Sequence, residues 1–349
     1  MLVTSFRPCK LSNILIAIVA CIFCYTLFMK LEMNYEEKLP SILKPYQENN
    51  IWIIFTKATK NRSPLRTKFH NIIVNLLNVS SIPLKFNFIT DLPSKEILEE
   101  EISDIVLNTN KPVPYKTYDF DLCASKIKDI VEAMMPHFSS KPGSYYSDAL
   151  FYLSLGLHRI APVNQDRVIM LDCDLYFKND VALLFKEFNS FKSTALFGLA
   201  PELTTVYLHV LQNYRRTKKN STFGEFYHDD VISAIENHPR GFQGYNSGVL
   251  LLDLKAIRKS SLYNNLISKD NVDKLAKKYK FKGHLGDQDF YTLMGYEHPD
   301  LIQTINCGFN RQLCTFWRDH GYKKIFDDYF KCKHKTVILH GNCNTKIPV

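Results

Sequence analysis

The chain has 349 residues, 46% of them hydrophobic and 23% charged, which is an ordinary globular composition and excludes a largely disordered or repetitive protein. Its formal net charge of +9 is spread over many lysines, with no dense basic block beside interleaved aromatic residues. This pattern favours a solvated surface and argues against nucleic-acid binding.

An apolar run from Leu11 to Met29 is the first predicted element, and it is long enough to span a bilayer. No small-residue cleavage site follows it, so the run favours a signal anchor over a cleaved signal peptide. Basic residues on both sides leave the orientation open. The predicted segments are a cytoplasmic tail at 1–10, a transmembrane signal anchor at 11–29, a stem at 30–49 and a lumenal folded domain at 50–349.

The folded domain begins with a predicted strand at Ile51–Thr56, a helix at Lys68–Leu77 and a strand at Leu84–Ile89. A strand, a helix and a strand in this order predict a βαβ unit and hence a parallel sheet. The polar loop at Lys57–Pro64 follows the first strand, where folds of this kind usually contact a ligand.

Strands and helices continue to alternate in the second half, which predicts an α/β domain. The region Thr204–Gly241 is more polar and predicts only an early helix. The other predicted elements are helices at Asp148–Ile160 and Val181–Phe188 and strands at Val168–Phe177, Ala195–Ala200, Val249–Leu254 and Thr336–Leu339.

The apolar run Val168–Phe177 carries two carboxylates, Asp172 and Asp174. Side chains on a strand alternate faces, so the two carboxylates are expected on one side, with Cys173 pointing away. Such a pair can hold one hard divalent cation and leave coordination positions for the oxygens of a diphosphate. An Asp-x-Asp by itself is weak evidence for a metal site, because acidic residues at a strand end often only cap the next element.

Three further polar motifs stand in a fixed order: Asn246-Ser-Gly248, Gly286-Asp-Gln-Asp289 at the start of a helical pattern, and His340-Gly-Asn342 after an apolar strand. Together with the Asp-x-Asp, they make the chain resemble the retaining glycosyltransferases of family 8, from Trp52 to the end. Four longer strings resemble the α-1,3-xylosyltransferases of that family: Gly244–Asp253, Gly283–Phe290, Asn310–Cys314 and His340–Thr345.

The resemblance implies an α/β GT-A (Rossmann-like) domain with a mixed, mostly parallel central sheet behind an N-terminal transmembrane helix. It implies transfer of xylose from UDP-xylose, in α-1,3 linkage, to the xylose of a xylose–glucose disaccharide on EGF-like domains of Notch type. It also implies a type II membrane protein of the endoplasmic reticulum, with the Golgi as the alternative. A homodimer remains open.

By the same resemblance, Asp172, Asp174 and His340 would be manganese ligands, with Mg²⁺ as the alternative ion. Two carboxylates and an imidazole suit Mn²⁺. A lone histidine after a buried strand would otherwise be a hydrogen-bonded core residue. Gln288 would lie beside the anomeric carbon of the donor as the catalytic residue, although an amide is a poor nucleophile. Asp287 remains open between a ligand contact and a helix N-cap.

The resemblance extends to further contacts. Two of these contacts have alternatives: Lys57 could be a solvated lysine at the strand end, and Trp317 could be a core residue. Whether Lys346 contacts the diphosphate is left open. The implied UDP-xylose contacts are Phe55, Thr56, Lys57, Cys173, Ser247, Leu285 and Gln288, and the implied acceptor contacts are Trp317 and Asn342.

Four cysteines cluster near the end of the chain: Cys307, Cys314, Cys332 and Cys343. In a lumenal domain they predict two disulfides with three connectivities, whereas a zinc site would usually show CxxC pairs. The resemblance implies the pairs Cys307–Cys332 and Cys314–Cys343. Sequons at Asn78 and Asn220 agree with a lumenal location.

Three alternatives compete with this interpretation. A phosphatase of the haloacid dehalogenase type also uses a strand ending in Asp-x-Asp, but expects Thr or Val where Tyr176 stands. Another family 8 enzyme would transfer glucose or galactose. A catalytically inactive protein could retain the fold and bind an EGF-like partner.

Overall fold

The computed structural model describes residues 25, 48–59, 64–139, 148–226 and 241–348. The predicted tail lies outside these residues, as do the anchor apart from Tyr25 and most of the stem. Over the part that is described, we find no helix with both the length and the apolar character needed to cross a bilayer.

The described strands form two sheets. The larger has seven strands in the order β3-β2-β1-β4-β7-β6-β8, and the smaller has the order β5-β10-β9. The strands are β1 (Asn49–Ile54), β2 (Leu84–Thr90), β3 (Tyr115–Asp119), β4 (Arg167–Leu171), β5 (Leu175–Phe177), β6 (Phe197–Pro201), β7 (Tyr245–Asp253), β8 (Ile302–Thr304), β9 (Arg311–Gln312) and β10 (Ile338–His340).

Helices flank the larger sheet, and short 3₁₀ or π turns lie between them. The α-helices are α1 (Pro64–Val79), α2 (Leu92–Thr109), α3 (Phe120–Lys126), α4 (Lys128–Phe138), α5 (Leu157–Ile160), α6 (Ala182–Lys186), α7 (Val206–Val210), α8 (Gln212–Thr217), α9 (Leu254–Lys259), α10 (Ser261–Leu266), α11 (Lys269–Lys278), α12 (Asp287–Glu297) and α13 (Lys323–Phe330).

The predicted βαβ unit is confirmed, because β1 pairs in parallel with β2 and α1 connects them. Strand β1 is apolar on both faces because helices cover both. Trp52 packs into one hydrophobic cluster, whereas Ile51 and Ile53 pack into the other. The sheet is mixed but mostly parallel, since β4–β7 and β6–β7 are its antiparallel pairs.

The position of the Asp-x-Asp differs from the prediction. Strand β4 ends at Leu171, so Asp172, Cys173 and Asp174 form the turn between β4 and β5 instead of continuing one strand. The alternation of a strand therefore does not orient these carboxylates. Their orientation comes from the turn and from the antiparallel pairing of β5 with β10, which sets His340 opposite Leu175.

Other predicted elements differ in detail. The helix predicted over Asp148–Ile160 is a 3₁₀ helix at Ala149–Gly156 followed by α5, and Asp148 caps it by accepting from the Leu150 N–H. The Asn-Ser-Gly motif lies within β7 and not before it. Disulfides join Cys307 to Cys332 and Cys314 to Cys343, the pairs that the resemblance implies.

Candidate functional site

Asp172, Asp174 and His340 converge where β4, β5 and β10 meet. One ligand atom from each lies within 4.8 Å of the others. His340 Nε2 is 3.4 Å from Asp174 Oδ1 and 3.7 Å from Asp172 Oδ2. The imidazole is buried, while the Asp172 carboxylate is exposed. The cluster is therefore closed on the protein side and open towards solvent.

The imidazole of His340 is held from two sides. Its Nδ1 lies 2.9 Å from Oδ1 of Asn310, which leaves Nε2 facing the carboxylates. The backbone of Gly248 lies against the ring, and a Cβ built there would be 2.3 Å from Cε1 of His340. The glycine of the Asn-Ser-Gly motif thus makes room for the imidazole of the His-Gly-Asn motif.

This donor set fits a divalent cation. Two carboxylates and one imidazole nitrogen offer hard and borderline ligands, which suit Mn²⁺ and leave positions for further oxygens. A ligating histidine usually donates its other N–H to a neighbouring acceptor, and Asn310 is placed to accept from Nδ1. The residues present therefore fit the ion that the resemblance implies.

The charges of the cluster shift its acid–base behaviour. Burial lowers the pKa of His340, but the hydrogen bond and charge of Asp174 outweigh this and raise the pKa above its ordinary value. Burial raises the pKa of Asp174, yet His340 and Lys68 together hold that pKa well below its ordinary range. Asp174 is thus a carboxylate, ready to coordinate.

Lys68, from α1, also reaches the cluster. Its Nζ lies 3.2 Å from Asp174 Oδ2 and 3.0 Å from Asn344 Oδ1. Because Oδ2 faces the lysine, Oδ1 faces His340. The sequence motifs did not point to Lys68, since a lysine on an amphipathic helix is usually a solvated surface residue.

The Gly-Asp-Gln-Asp motif opens α12 beside β7. Gly286 has a φ of 66° and precedes the first helical residue, Asp287. Gly286 is the N-cap, and the Asp287 carboxylate accepts from the hydroxyls of Ser247, at 3.0 Å, and Ser154. Burial raises the pKa of Asp287 to about 7, and the charge of Asp172 contributes in the same direction. The N-cap position that the sequence left open for Asp287 is therefore occupied by Gly286.

Gln288 is buried and its carboxamide is bonded at both ends. Oε1 accepts from the Ser247 N–H at 3.3 Å. Nε2 donates to Glu202 at 3.2 Å and to the Tyr207 hydroxyl at 3.3 Å. The structure thus brings together Gln288 and Ser247, two of the residues predicted from the resemblance.

Leu285 is fixed through its backbone. Its N–H donates to Asp289 Oδ2 at 2.8 Å, while Asp289 Oδ1 accepts from the Tyr207 hydroxyl at 3.0 Å. Asp289 is fully buried, and this burial raises its pKa to about 7. The second aspartate of the motif therefore orders the loop before α12.

The residues after β1 occupy the neighbouring edge of the sheet. The Phe55 ring is buried and packs against Phe69 at a centroid distance of 4.5 Å, so its side chain belongs to the core. Thr56 is buried. Lys57 has a φ of 59° and its N–H donates to Asp91 at 2.7 Å, while its ammonium pairs with Asp148.

Cys173 and the predicted acceptor residues Asn342 and Trp317 contact backbone groups and a neighbouring ring. Cys173 Sγ lies 3.7 Å from the carbonyl oxygen of Ile54, away from the carboxylates. Asn342 Oδ1 accepts from the N–H groups of Leu313 and Cys314, each at 3.0 Å. The half-buried Trp317 lies on the ring of His209 at a centroid distance of 4.6 Å.

Sequence reasoning missed Glu202, which follows β6 and is buried. A polar residue at the end of a strand is a usable signal, because sites of α/β folds gather at that edge. Asn310 was part of a string that carries the resemblance, but its contact with the histidine depends on the pairing of β9 with β10.

Comparison with known proteins agrees with this geometry. The model of glycosyl transferase family 8 matches residues 53–347. Xyloside xylosyltransferase 1 of mouse and that of human are each 39% identical over 308 residues, covering 86% of this chain and 74% of each relative. The crystal structure of mouse xyloside xylosyltransferase 1 in its apo form matches with a TM-score of 0.78 at 37% identity, over 86% of this chain and 100% of that one.

The two predicted features that these matches address are the family and the domain architecture. The mixed, mostly parallel sheet has the GT-A-like arrangement of that family. The haloacid dehalogenase alternative is wrong, because the match extends from β1 to the C-terminal segment that carries His340. The chain belongs to glycosyltransferase family 8.

Proposed function

We propose that this protein is a metal-dependent, retaining xylosyltransferase that uses UDP-xylose. The observation that carries the proposal is the Asp172–Asp174–His340 cluster beside the Ser247–Asp287–Gln288 constellation. The relatives of mouse and human, named xyloside xylosyltransferase 1, support xylose as the transferred sugar. Mn²⁺ is the proposed ion and Mg²⁺ the alternative.

Asp172, Asp174 and His340 would hold the cation, which supplies charge stabilisation for the departing diphosphate when it is bound. Lys68 keeps one oxygen of Asp174 turned towards the cluster. Asp287 and Gln288 fix Ser247 through its hydroxyl and its N–H. These contacts preorganise the polar edge on which the donor would lie.

Gln288 lacks the nucleophilicity for a covalent glycosyl intermediate, so the acceptor hydroxyl attacks from the face that the diphosphate leaves. The bond between xylose C1 and the phosphate oxygen breaks, and a bond between C1 and the acceptor oxygen forms. The hydroxyl proton passes to the departing phosphate. The configuration at C1 is retained because both events occur on one face.

The proposed acceptor is the xylose of a xylose–glucose disaccharide on EGF-like domains of Notch type, linked α-1,3. The proposed location is the endoplasmic reticulum, with the Golgi as the alternative, as a single-pass type II membrane protein. The two disulfides support an oxidising compartment. The anchor at 11–29 is part of this proposal.

The test incubates the purified full-length protein with Mn²⁺, a panel of UDP-sugars and an EGF-like repeat that carries xylose–glucose. We expect a mass gain of one pentose with UDP-xylose, lost in Asp174→Ala. Transfer of a hexose would instead support a glucosyl- or galactosyltransferase. The absence of transfer and hydrolysis with every donor would favour the inactive EGF-binding protein.

A further inference from the structure

Glu202 is a buried carboxylate with a 3% exposed surface at the end of β6. Three N–H groups point at its two oxygens. Oε1 accepts from the Thr204 N–H at 3.0 Å, and Oε2 accepts from Asn246 at 3.0 Å and from Gln288 at 3.2 Å. A carboxylate only accepts, so both neighbouring side-chain amides must turn their NH₂ groups towards it.

One branch leads from Glu202 to the metal cluster. Asn246 donates to Glu202, so its Oδ1 faces the other way and accepts from Asn310 Nδ2 at 2.8 Å. Asn310 must then present its own Oδ1 to His340 Nδ1, at 2.9 Å. That contact keeps a proton on Nδ1, so Nε2 is the nitrogen that would bind a cation held by the aspartates.

The second branch leads to the donor side. Gln288 turns its NH₂ towards Glu202, so its Oε1 faces the Ser247 N–H. Asn246, Asn310 and Gln288 are all buried, with at most 7% of each exposed, so solvent does not readily supply replacement partners. Glu202 is therefore the acceptor that the two branches share. Asn246 Oδ1 also accepts from the Gly248 N–H at 3.1 Å, and Gln288 Nε2 also donates to the Tyr207 hydroxyl, so Glu202 acts together with these groups.

We propose that Glu202 is a positioning residue that sets the metal-binding tautomer of His340 through Asn246 and Asn310 and the carbonyl orientation of Gln288 directly. This role deepens the proposed function and rests on it. Without the carboxylate, Asn246 Nδ2 loses this acceptor and Gln288 Nε2 keeps the Tyr207 hydroxyl, so both amides are held less firmly. The acceptor that Asn310 offers to Nδ1 of His340 is then less firmly fixed. Both metal affinity and turnover then fall.

The test compares wild type with Glu202→Met, which keeps the length of the side chain but removes the acceptor. Free Mn²⁺ is measured by its electron paramagnetic resonance signal during titration without substrate. We expect the dissociation constant for Mn²⁺ to rise about 10–100-fold, as it does when partners of metal ligands are removed. We also expect kcat at saturating Mn²⁺ to fall about 100-fold, because Gln288 is misoriented.

Glu101→Met is the matched control. Glu101 is also a buried glutamate, at 7% exposure, and it accepts from Arg66 and faces His70, in α1. Its replacement tests the general cost of removing a buried carboxylate. We expect a loss of stability in this control but a change of less than about threefold in Mn²⁺ affinity.

The double variant Glu202→Met with Asn310→Asp separates positioning from general structure. The new carboxylate has only acceptor oxygens, so it accepts the His340 Nδ1–H whether or not Glu202 is present, as in carboxylate–histidine–metal triads. We therefore expect Mn²⁺ affinity to recover to within about threefold of wild type. Turnover stays low, because Gln288 still lacks its partner. If Glu202 only supported the fold, Mn²⁺ affinity would not recover while turnover stayed low.

If Glu202→Met does not fold, Glu202→Gln serves as the second variant. It keeps the shape but offers one acceptor oxygen, so Mn²⁺ affinity should lie below that of wild type. Wild-type affinity in a folded Glu202→Met or Glu202→Gln variant would overturn the proposal. A wild-type protein that binds no Mn²⁺ or transfers no sugar would instead contradict the proposed function.

Discussion

Gly248→Ala is the sharpest test of how the metal cluster is assembled. The new methyl group would lie 2.3 Å from Cε1, 2.8 Å from Nδ1 and 2.9 Å from Nε2 of His340. To reach ordinary contact at 3.4 Å, the ring must retreat by about 1.1 Å from Cβ. That displacement exceeds the roughly 0.5 Å within which a functional constellation must be held.

The expected result is a loss of Mn²⁺ affinity of about 100-fold and a comparable loss of turnover. The overpacking should also cost about 1–3 kcal/mol of the free energy of unfolding. Mn²⁺ affinity is measured by titration, with the free ion detected by electron paramagnetic resonance, and stability is measured by urea denaturation. Both are needed, because a misfolded variant would also bind poorly.

Gly198→Ala is the control on the neighbouring strand β6. Its methyl group would lie 3.0 Å from side-chain atoms of Leu251 and Phe191 and does not meet the cluster. We expect it to lower stability while leaving Mn²⁺ affinity unchanged. Tight Mn²⁺ binding by a folded Gly248→Ala protein would refute the idea that this glycine makes room for the ligand histidine.

Four other outcomes are expected. Chelation with EDTA should abolish transfer, and added Mn²⁺ should restore it, as followed by product mass. Arg258 donates to five carbonyl oxygens, one in α5 and four in the loop before β4. Arg258→Ala should therefore lower the free energy of unfolding by about 2–4 kcal/mol, and Arg258→Lys by less, in urea denaturation. Burial raises the pKa of Asp289 to about 7 from an ordinary 3.8. The protonated Asp289 therefore contributes fully to the free energy of unfolding below pH 3.8, the pKa in the unfolded chain, and this contribution is lost as the pH rises through 7. Asp289→Asn should thus flatten the dependence of the urea midpoint on pH. The Cys314–Cys343 disulfide spans 29 residues, so replacing both cysteines with alanine should lower the free energy of unfolding by about 3.6 kcal/mol. It should also weaken Mn²⁺ binding, because the bridge ends three residues after His340.

The first half of the sheet was predictable because its signals are local. Ile51–Thr56 is an apolar run of strand length, and the observed β1 begins and ends two residues earlier. Lys68–Leu77 has helical spacing and lies within α1, and the predicted strand Leu84–Ile89 lies within β2. Hydrophobic period and element length suffice when a strand is covered on both faces. The same reasoning failed for Asp148–Ile160, because a 3₁₀ helix and a short α-helix give nearly the same apolar spacing as one α-helix.

The convergence of Asp172, Asp174 and His340 was predicted through motif order, not through geometry. The strand alternation invoked for the aspartates does not apply, since both lie in a turn. What brings the histidine to them is the pairing of β5 with β10, two three-residue strands that are far apart in the chain. Periodicity cannot reveal such a short pairing, whereas resemblance to a family can.

The polar interior was the part that the sequence concealed. The sequence indicated Gln288 as the catalytic residue and placed Asn246 and Asn310 in motifs, but it did not show the hydrogen bonds that connect them through Glu202. Their role appears only when β7, the 3₁₀ turn at Cys307–Asn310 and α12 are packed around Glu202.

A buried network of this kind is costly unless every member is satisfied, and here one acceptor-only group accepts N–H donors from two of the amides around it. Directional constraint explains why polar side chains occupy positions that apolar ones would fill more cheaply. The metal ligand His340 and the donor-side Gln288 lie on different elements, β10 and α12, that no single strand or helix could orient together. A shared carboxylate between them couples the two orientations, so disturbance of either branch should be felt at both.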